Sequence, residues 1–127
     1  MPKLERFPAT RIVSTLAALN AAAFPSDAIA LRTAPDEVLL FGSARLPALS
    51  DPHAIIAQET SFVGAWLAAD DAAEWLARQC EWELPRIRPA FAQGEIAGLP
   101  IKLWLEPQRV LVLVQQPFAV DLEERLA

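Results

Sequence analysis

Between Pro107 and Pro117 the chain reads Gln108-Arg109-Val110-Leu111-Val112-Leu113-Val114-Gln115-Gln116, five consecutive apolar residues bounded by polar ones. A strand with one wet face alternates apolar and polar residues. An unbroken short run, three of its five residues β-branched, is expected to be a central strand covered on both faces. Arg109–Gln115 is therefore predicted to lie in the middle of a sheet. A helical layer on one face still leaves the other face to be hidden by something.

The neighbouring segments supply candidates for the rest of that sheet. Ala54–Glu59 and Phe62–Leu67 are predicted strands, with Thr60 and Ser61 as a tight turn between them. Asp70 or Asp71 is expected to cap a helix, and Asp71 with Glu74 has the spacing of a capping box. Its apolar stripe is Ala72, Trp75, Leu76 and Cys80. Pro85–Pro89 reads as a connection. Glu95–Leu105 is predicted to be one strand, bulged at Gly98 and Pro100, with Leu99, Ile101, Leu103 and Leu105 facing the core. Pro117 suits the first turn of a last helix on which Phe118, Leu122 and Leu126 stack.

Earlier in the chain, Thr10 is a candidate N-cap for a helix with the stripe Ile12, Leu16, Leu19 and Ala23, ending near Phe24 because Pro25 follows. Ile29–Thr33 and Glu37–Phe41 read as a hairpin turning at Pro35-Asp36. Gly42–Pro52 carries loop signals. From Ala54 onward the order is strand, strand, helix, strand, strand, helix. The predicted class is α+β: a ferredoxin-like split β-α-β two-layer sandwich with an added N-terminal helix and hairpin. The predicted organisation is a single domain, 1–127, with the helix and hairpin in 1–52 and the ββαββα core in 53–127.

Composition excludes several functions. The net charge is −5, and the eleven Lys and Arg are scattered, so the basic footprint of a nucleic-acid binder is missing. One cysteine, Cys80, precludes an internal disulfide and a cysteine-rich zinc site, and fits a cytoplasmic location. Lys3 and Arg6 before the apolar stretch Ile12–Phe24 look somewhat like a secretory leader, but Glu5, Ser14, Thr15 and Asn20 interrupt it. No run approaches the ~20 apolar residues of a membrane helix.

Few residues point to chemistry. Cys80 sits on an apolar stripe, where burial disfavours the thiolate. His53, the one histidine, is expected in an exposed loop. The acid pairs Asp36-Glu37, Asp70-Asp71 and Glu123-Glu124 each have a structural place in a turn, a helix start or a wet helix face. The four glycines, at 42, 64, 94 and 98, form no phosphate-binding loop. No catalytic, cofactor-binding or metal-ligating residue is therefore expected. Two groups remain. Trp66, Trp82 and Trp104 have little apolar cover of their own, which marks either a partner interface or a face covered by the N-terminal helix. Arg86 and Arg88 alternate in a loop, either as a clamp for a carboxylate or as solvated charges.

Four segments stand in a recognisable order: Ala34-Pro35-Asp36-Glu37-Val38-Leu39-Leu40, Asp71 through Gln79-Cys80, Ala97-Gly98-Leu99-Pro100-Ile101-Lys102-Leu103-Trp104, and Pro117-Phe118-Ala119-Val120-Asp121-Leu122. In order and spacing they resemble the gamma subunit family of heterotetrameric sarcosine oxidase, which is related to the folate-binding domain of glycine-cleavage aminomethyltransferases. The resemblance implies a small accessory subunit without catalytic activity of its own, acting in sarcosine and one-carbon metabolism. It also implies larger partner subunits that hold flavin, NAD and folate. The alternative from the residues alone is a stand-alone, self-associating ferredoxin-like module that binds a small ligand such as a folate.

Overall fold

Residues 2–42 and 45–127 are described by the computed structural model. Residues 43 and 44 of the predicted loop 42–52 lie outside the described residues. The elements in chain order are β1 (Glu5–Arg6), β2 (Ala9–Val13), α1 (Leu16–Ala21), β3 (Ile29–Ala34), β4 (Glu37–Phe41), β5 (Ile55–Glu59), β6 (Phe62–Ala68), α2 (Ala69–Gln79), β7 (Ala90–Ile96), β8 (Leu99–Leu105), β9 (Arg109–Gln115), a 3-10 turn (Gln116–Phe118) and α3 (Ala119–Leu126). This is a mixed α/β protein whose described strands form two antiparallel sheets. The chain divides into two units, Phe7–Thr60 and a second comprising the residues up to Arg6 with Ser61–Ala127.

In the Phe7–Thr60 unit the strand order is β3-β4-β2-β5. The β3–β4 hairpin turns at Pro35-Asp36, where the sequence places it. The predicted helix from Thr10 is a correction: Ala9–Val13 is a strand, with Thr10 opposite both Leu40 and Gln58. Thr10, Ile12 and Val13 are β-branched and favour extended backbone. Two neighbouring strands then satisfy the backbone groups on both sides of β2. Of the predicted stripe only Leu16 and Leu19 are helical, within Leu16–Ala21. Thr15 is its cap, with Oγ1 accepting from the Ala18 amide at 3.1 Å. Ile12, Leu19 and Val38 form the core cluster between this helix and the sheet, flanked by Phe24, Ala30 and Leu49.

A ferredoxin-like sheet holding every strand from Ala54 onward would pair β5 with β6. Instead β5 pairs with β2, from Ile55 opposite Val13 to Glu59 opposite Ala9. The Thr60-Ser61 step leads from one unit into the other and closes no hairpin.

In the second unit the strand order is β1-β6-β9-β8-β7. The central position of β9 follows from its sequence, and all of Val110–Val114 is buried. Val110, Val112 and Val114 point to the face covered by α2 and α3, and join Val63, Leu103 and Leu122 in one cluster. Trp75 closes this layer: its Nε1 donates to the Arg125 carbonyl at 2.9 Å, tying α2 to α3. On β6, a Cβ at Gly64 would run into the Val112 carbonyl, so only glycine lets β6 and β9 approach this closely.

Two further expectations change here. Neither Asp70 nor Asp71 caps α2. The N-cap is Ala68, without a side-chain bond, and both aspartates sit in the first turn. The Ala69 amide instead donates to the Gln108 carbonyl at 3.0 Å, so tertiary contact replaces the predicted capping box. The predicted single strand Glu95–Leu105 is the hairpin β7–β8. Ala97 (φ 55°) and Gly98 (φ 79°) form its two-residue turn, and two successive positive φ values reverse the chain where one would only bulge it. No helix among the described residues is long and apolar enough to cross a membrane.

Candidate functional site

Strand alternation in the second unit sets one row of large side chains across four strands. Trp66 on β6 is opposite Leu111 on β9, Leu111 is opposite Trp104 on β8, and Trp104 is opposite Phe91 on β7. Leu111 is fully buried, while Trp66, Trp104 and Phe91 are half-buried. This is the sheet face opposite α2 and α3.

A polar clasp ends the row. The β8–β9 turn is held by the Glu106 amide donating to the Arg109 carbonyl at 2.9 Å. That turn brings the Glu106 carboxylate between two donors, Trp104 Nε1 at 2.9 Å and Arg109 Nε at 2.8 Å. The Arg109 guanidinium lies 3.6 Å from the centroid of the Trp66 ring. A cation over an indole face is attracted by the ring quadrupole, typically by ~0.5–2 kcal/mol. Trp104, Glu106, Arg109 and Trp66 thus form one chain of contacts with no free acid or base. It can hold a shaped aromatic surface, and offers no nucleophile. The sequence reading missed Glu106 and Arg109. Their signal is an acid and a base three residues apart, flanking a Pro-containing turn between strands.

Of the three tryptophans singled out in the sequence, Trp66 and Trp104 share this row and Trp82 does not. Trp82 follows α2, lies over Gly94 and donates from Nε1 to the Glu95 carbonyl at 2.8 Å. Arg86 and Arg88 have different surroundings. Arg86 is exposed and 3.5 Å from Glu83, a pair too solvated to contribute much. Arg88 is half-buried and lines a shallow groove with Asp70 and Glu106. Cys80 Sγ donates to the Trp82 carbonyl at 3.3 Å.

A larger open groove of ≈ 480 Å³ runs beside Trp66, lined by Asp71, Glu74, Trp75 and Arg78 among others. Its charges are mixed, and Arg78 is 3.8 Å from Glu74. Among the described residues no three His, Cys, Asp or Glu side chains gather as a metal site. In the Phe7–Thr60 unit His53 is exposed, and its amide donates to Asp51 Oδ1 at 2.8 Å, while Ser14 Oγ donates to Oδ2 at 2.8 Å. The His53 amide bond first, then the Ser14 bond, hold the Asp51 carboxyl below its usual range. Arg11 bridges Glu59 (3.0 Å) and Glu37 (3.1 Å), the latter as an ion pair without hydrogen-bond alignment.

The fold is thus a small mixed α/β one, and its most developed surface feature is aromatic. No family model matches this sequence, and no curated protein is similar to it in sequence. Among solved structures, the chain is similar to one in the heterotetrameric sarcosine oxidase from Corynebacterium sp. U-96, in complex with pyrrole 2-carboxylate. The TM-score is 0.73 at 19% identity, over 98% of this chain and 81% of that one. At this identity the likeness is one of fold.

Proposed function

We propose that this chain is a non-catalytic accessory subunit of a sarcosine oxidase-like complex, in the role of the gamma subunit. It would serve sarcosine and one-carbon metabolism, with flavin, NAD and folate held by larger partner chains. The observation that carries this reading is the fold likeness over nearly the whole chain to one component of a multi-chain enzyme. The residues themselves suit a structural role. Gly42 and Gly98, the glycines with positive φ, lie in separate turns rather than in one glycine-rich loop. The first turn of α2 carries Asp70 and Asp71, which repel a pyrophosphate where a dinucleotide site needs a bare helix N-terminus. These residues do not fit a nucleotide cofactor, so no chemical step is assigned to the chain.

On this reading Trp66 and Trp104 contribute to the partner contact, and Arg109 with Glu106 fixes their orientation. The test is affinity purification of the tagged chain from its native host, read by flavin absorbance and sarcosine turnover. The expected result is stoichiometric recovery of flavin-containing chains. Recovery of the chain without any flavoprotein would refute the reading.

A further inference from the structure

The segment Pro85-Arg86-Ile87-Arg88-Pro89 lies between α2 and β7 and is pinned on both sides. Before it, Trp82 and Leu84 pack against the core cluster of their unit, and Trp82 Nε1 donates to the Glu95 carbonyl at 2.8 Å. After it, Ala90 enters β7 opposite Leu105. Pro85 and Pro89 have fixed φ, so binding at this short loop leaves little backbone to order.

Ile87, in the middle of the segment, is 84% exposed, more than any other large apolar residue among the described residues. One exposed apolar side chain is ordinary. Its neighbour is not. Arg88 is half-buried, yet makes no hydrogen bond or ion pair among the described residues. A guanidinium carries five N–H donors in a fixed fork, and taking them from water without an acceptor is costly. The nearby acids are already engaged. Glu83 faces Arg86 at 3.5 Å, and Glu106 accepts from Trp104 and Arg109. Asp70 sits in the first turn of α2, where the helix dipole stabilises its charge. Glu81 lines a different groove, with Arg78.

A carboxylate from outside the chain would complete Arg88, since the two planar groups meet in a bidentate pair. A small free acid fits the groove of ≈ 330 Å³ that Arg88 lines, but Ile87 is not part of that lining and would stay in water. An anionic membrane is drawn to clusters of about 4–8 cations, whereas here two arginines stand on a chain of net charge −5. An acidic protein surface covers both residues at once, with apolar contact for Ile87 and a carboxylate for Arg88. Arginine is also among the residues that most often anchor protein interfaces.

We propose that Ile87 and Arg88 form a docking knob for an acidic surface of a larger partner chain. Ile87 enters an apolar depression there, and Arg88 pairs with a carboxylate at its rim. This contact rests on the accessory-subunit reading and extends it. Glu106 lines the groove of Arg88 and accepts from Trp104, so the knob adjoins the clasp that ends the aromatic row.

The test expresses tagged wild type, Ile87→Ser and Arg88→Gln in a native host lacking the untagged chain, and measures flavin recovered per chain after affinity purification. Ile87→Ser and Arg88→Gln are each expected to lower recovery roughly tenfold or more with unchanged circular dichroism, and added salt to lower it for the wild type. Arg88→Lys keeps the charge but loses the fork, and should fall between. Wild-type recovery in both Ile87→Ser and Arg88→Gln would overturn the docking knob and leave the accessory reading standing. Absence of flavoprotein from the wild type would overturn both. Ile87→Ser removes an exposed side chain and empties no core, so its recovery decides even where Arg88→Gln loses its fold. Binding of the wild type to phosphatidylserine vesicles, or a dimer of the free chain that Ile87→Ser abolishes, would give the knob another occupant and overturn the proposal.

Discussion

The two units solve the same packing problem with unequal means. In the second unit, helices of eleven and eight residues cover one face of a five-stranded sheet, and a single cluster runs from Val63 to Leu122. In the Phe7–Thr60 unit, one six-residue helix covers part of a four-stranded sheet and rests on Leu19 against Ile12 and Val38. An isolated helix of six residues is far below the length that is stable in water, so α1 depends on its cap and on the buried Ala18 and Leu19. The contrast teaches where rigidity lies. The aromatic row sits in the unit with the deep core, and the exposed edge strand β5 sits in the other.

Leu122→Ala is expected to have the largest effect, about 2–5 kcal/mol, because the residue is fully buried beneath α3. Leu19→Ala should cost less despite its 2% exposure, since a short helix can settle into the space. Equal losses in chemical denaturation would break the contrast. Gly64→Ala follows, at about 1–3 kcal/mol, since the new Cβ meets backbone that cannot swing aside. Its readout is the same denaturation curve, and a neutral substitution would show that β6 and β9 can separate cheaply. Thr15→Ala should cost about 1 kcal/mol and speed amide exchange within Leu16–Ala21. Unaltered exchange there would mean the cap does not hold α1.

The smallest effect is expected at Asp51. Its carboxyl is lowered in the folded chain from an ordinary value of 3.8, so the charged form is the one that stabilises the fold. That contribution is complete above the ordinary value and disappears as pH falls through the lowered one. Asp51→Asn should therefore unfold more readily than wild type at neutral pH, with the two converging in strong acid. Parallel acid-unfolding curves would remove the Ser14 and His53 bonds from the account.

Local pattern exposed much of this architecture. The run Val110–Val114, the Pro35-Asp36 hairpin and the helix stripes, one through Trp75 and another through Leu122, each appear at the expected place, because each is set by periodicity or turn chemistry. What stayed hidden depends on long-range pairing. Ile12, Leu16 and Leu19 fit helical spacing, yet Ala9–Val13 is claimed by β4 and β5, tens of residues away. Ala90–Ile96 carries weak alternation, and only the positive φ at Ala97 turns a bulge signal into a hairpin. At the candidate site, alternation placed Trp66 and Trp104 on one type of face. Arg109 over Trp66 joins side chains 43 positions apart and left no local trace.

The Ala97-Gly98 turn bears on the order in which the chain assembles. Alanine at φ 55° is locally unfavourable, so this turn is a poor nucleus for its hairpin. It is held from outside, by the Ala97 amide donating to the Gln79 carbonyl at 3.2 Å and by Arg125 Nε donating to the Ala97 carbonyl at 3.1 Å. Both partners belong to helices, so the meander should start from the β8–β9 end, and the β7–β8 corner should be among the last pieces to lock during refolding.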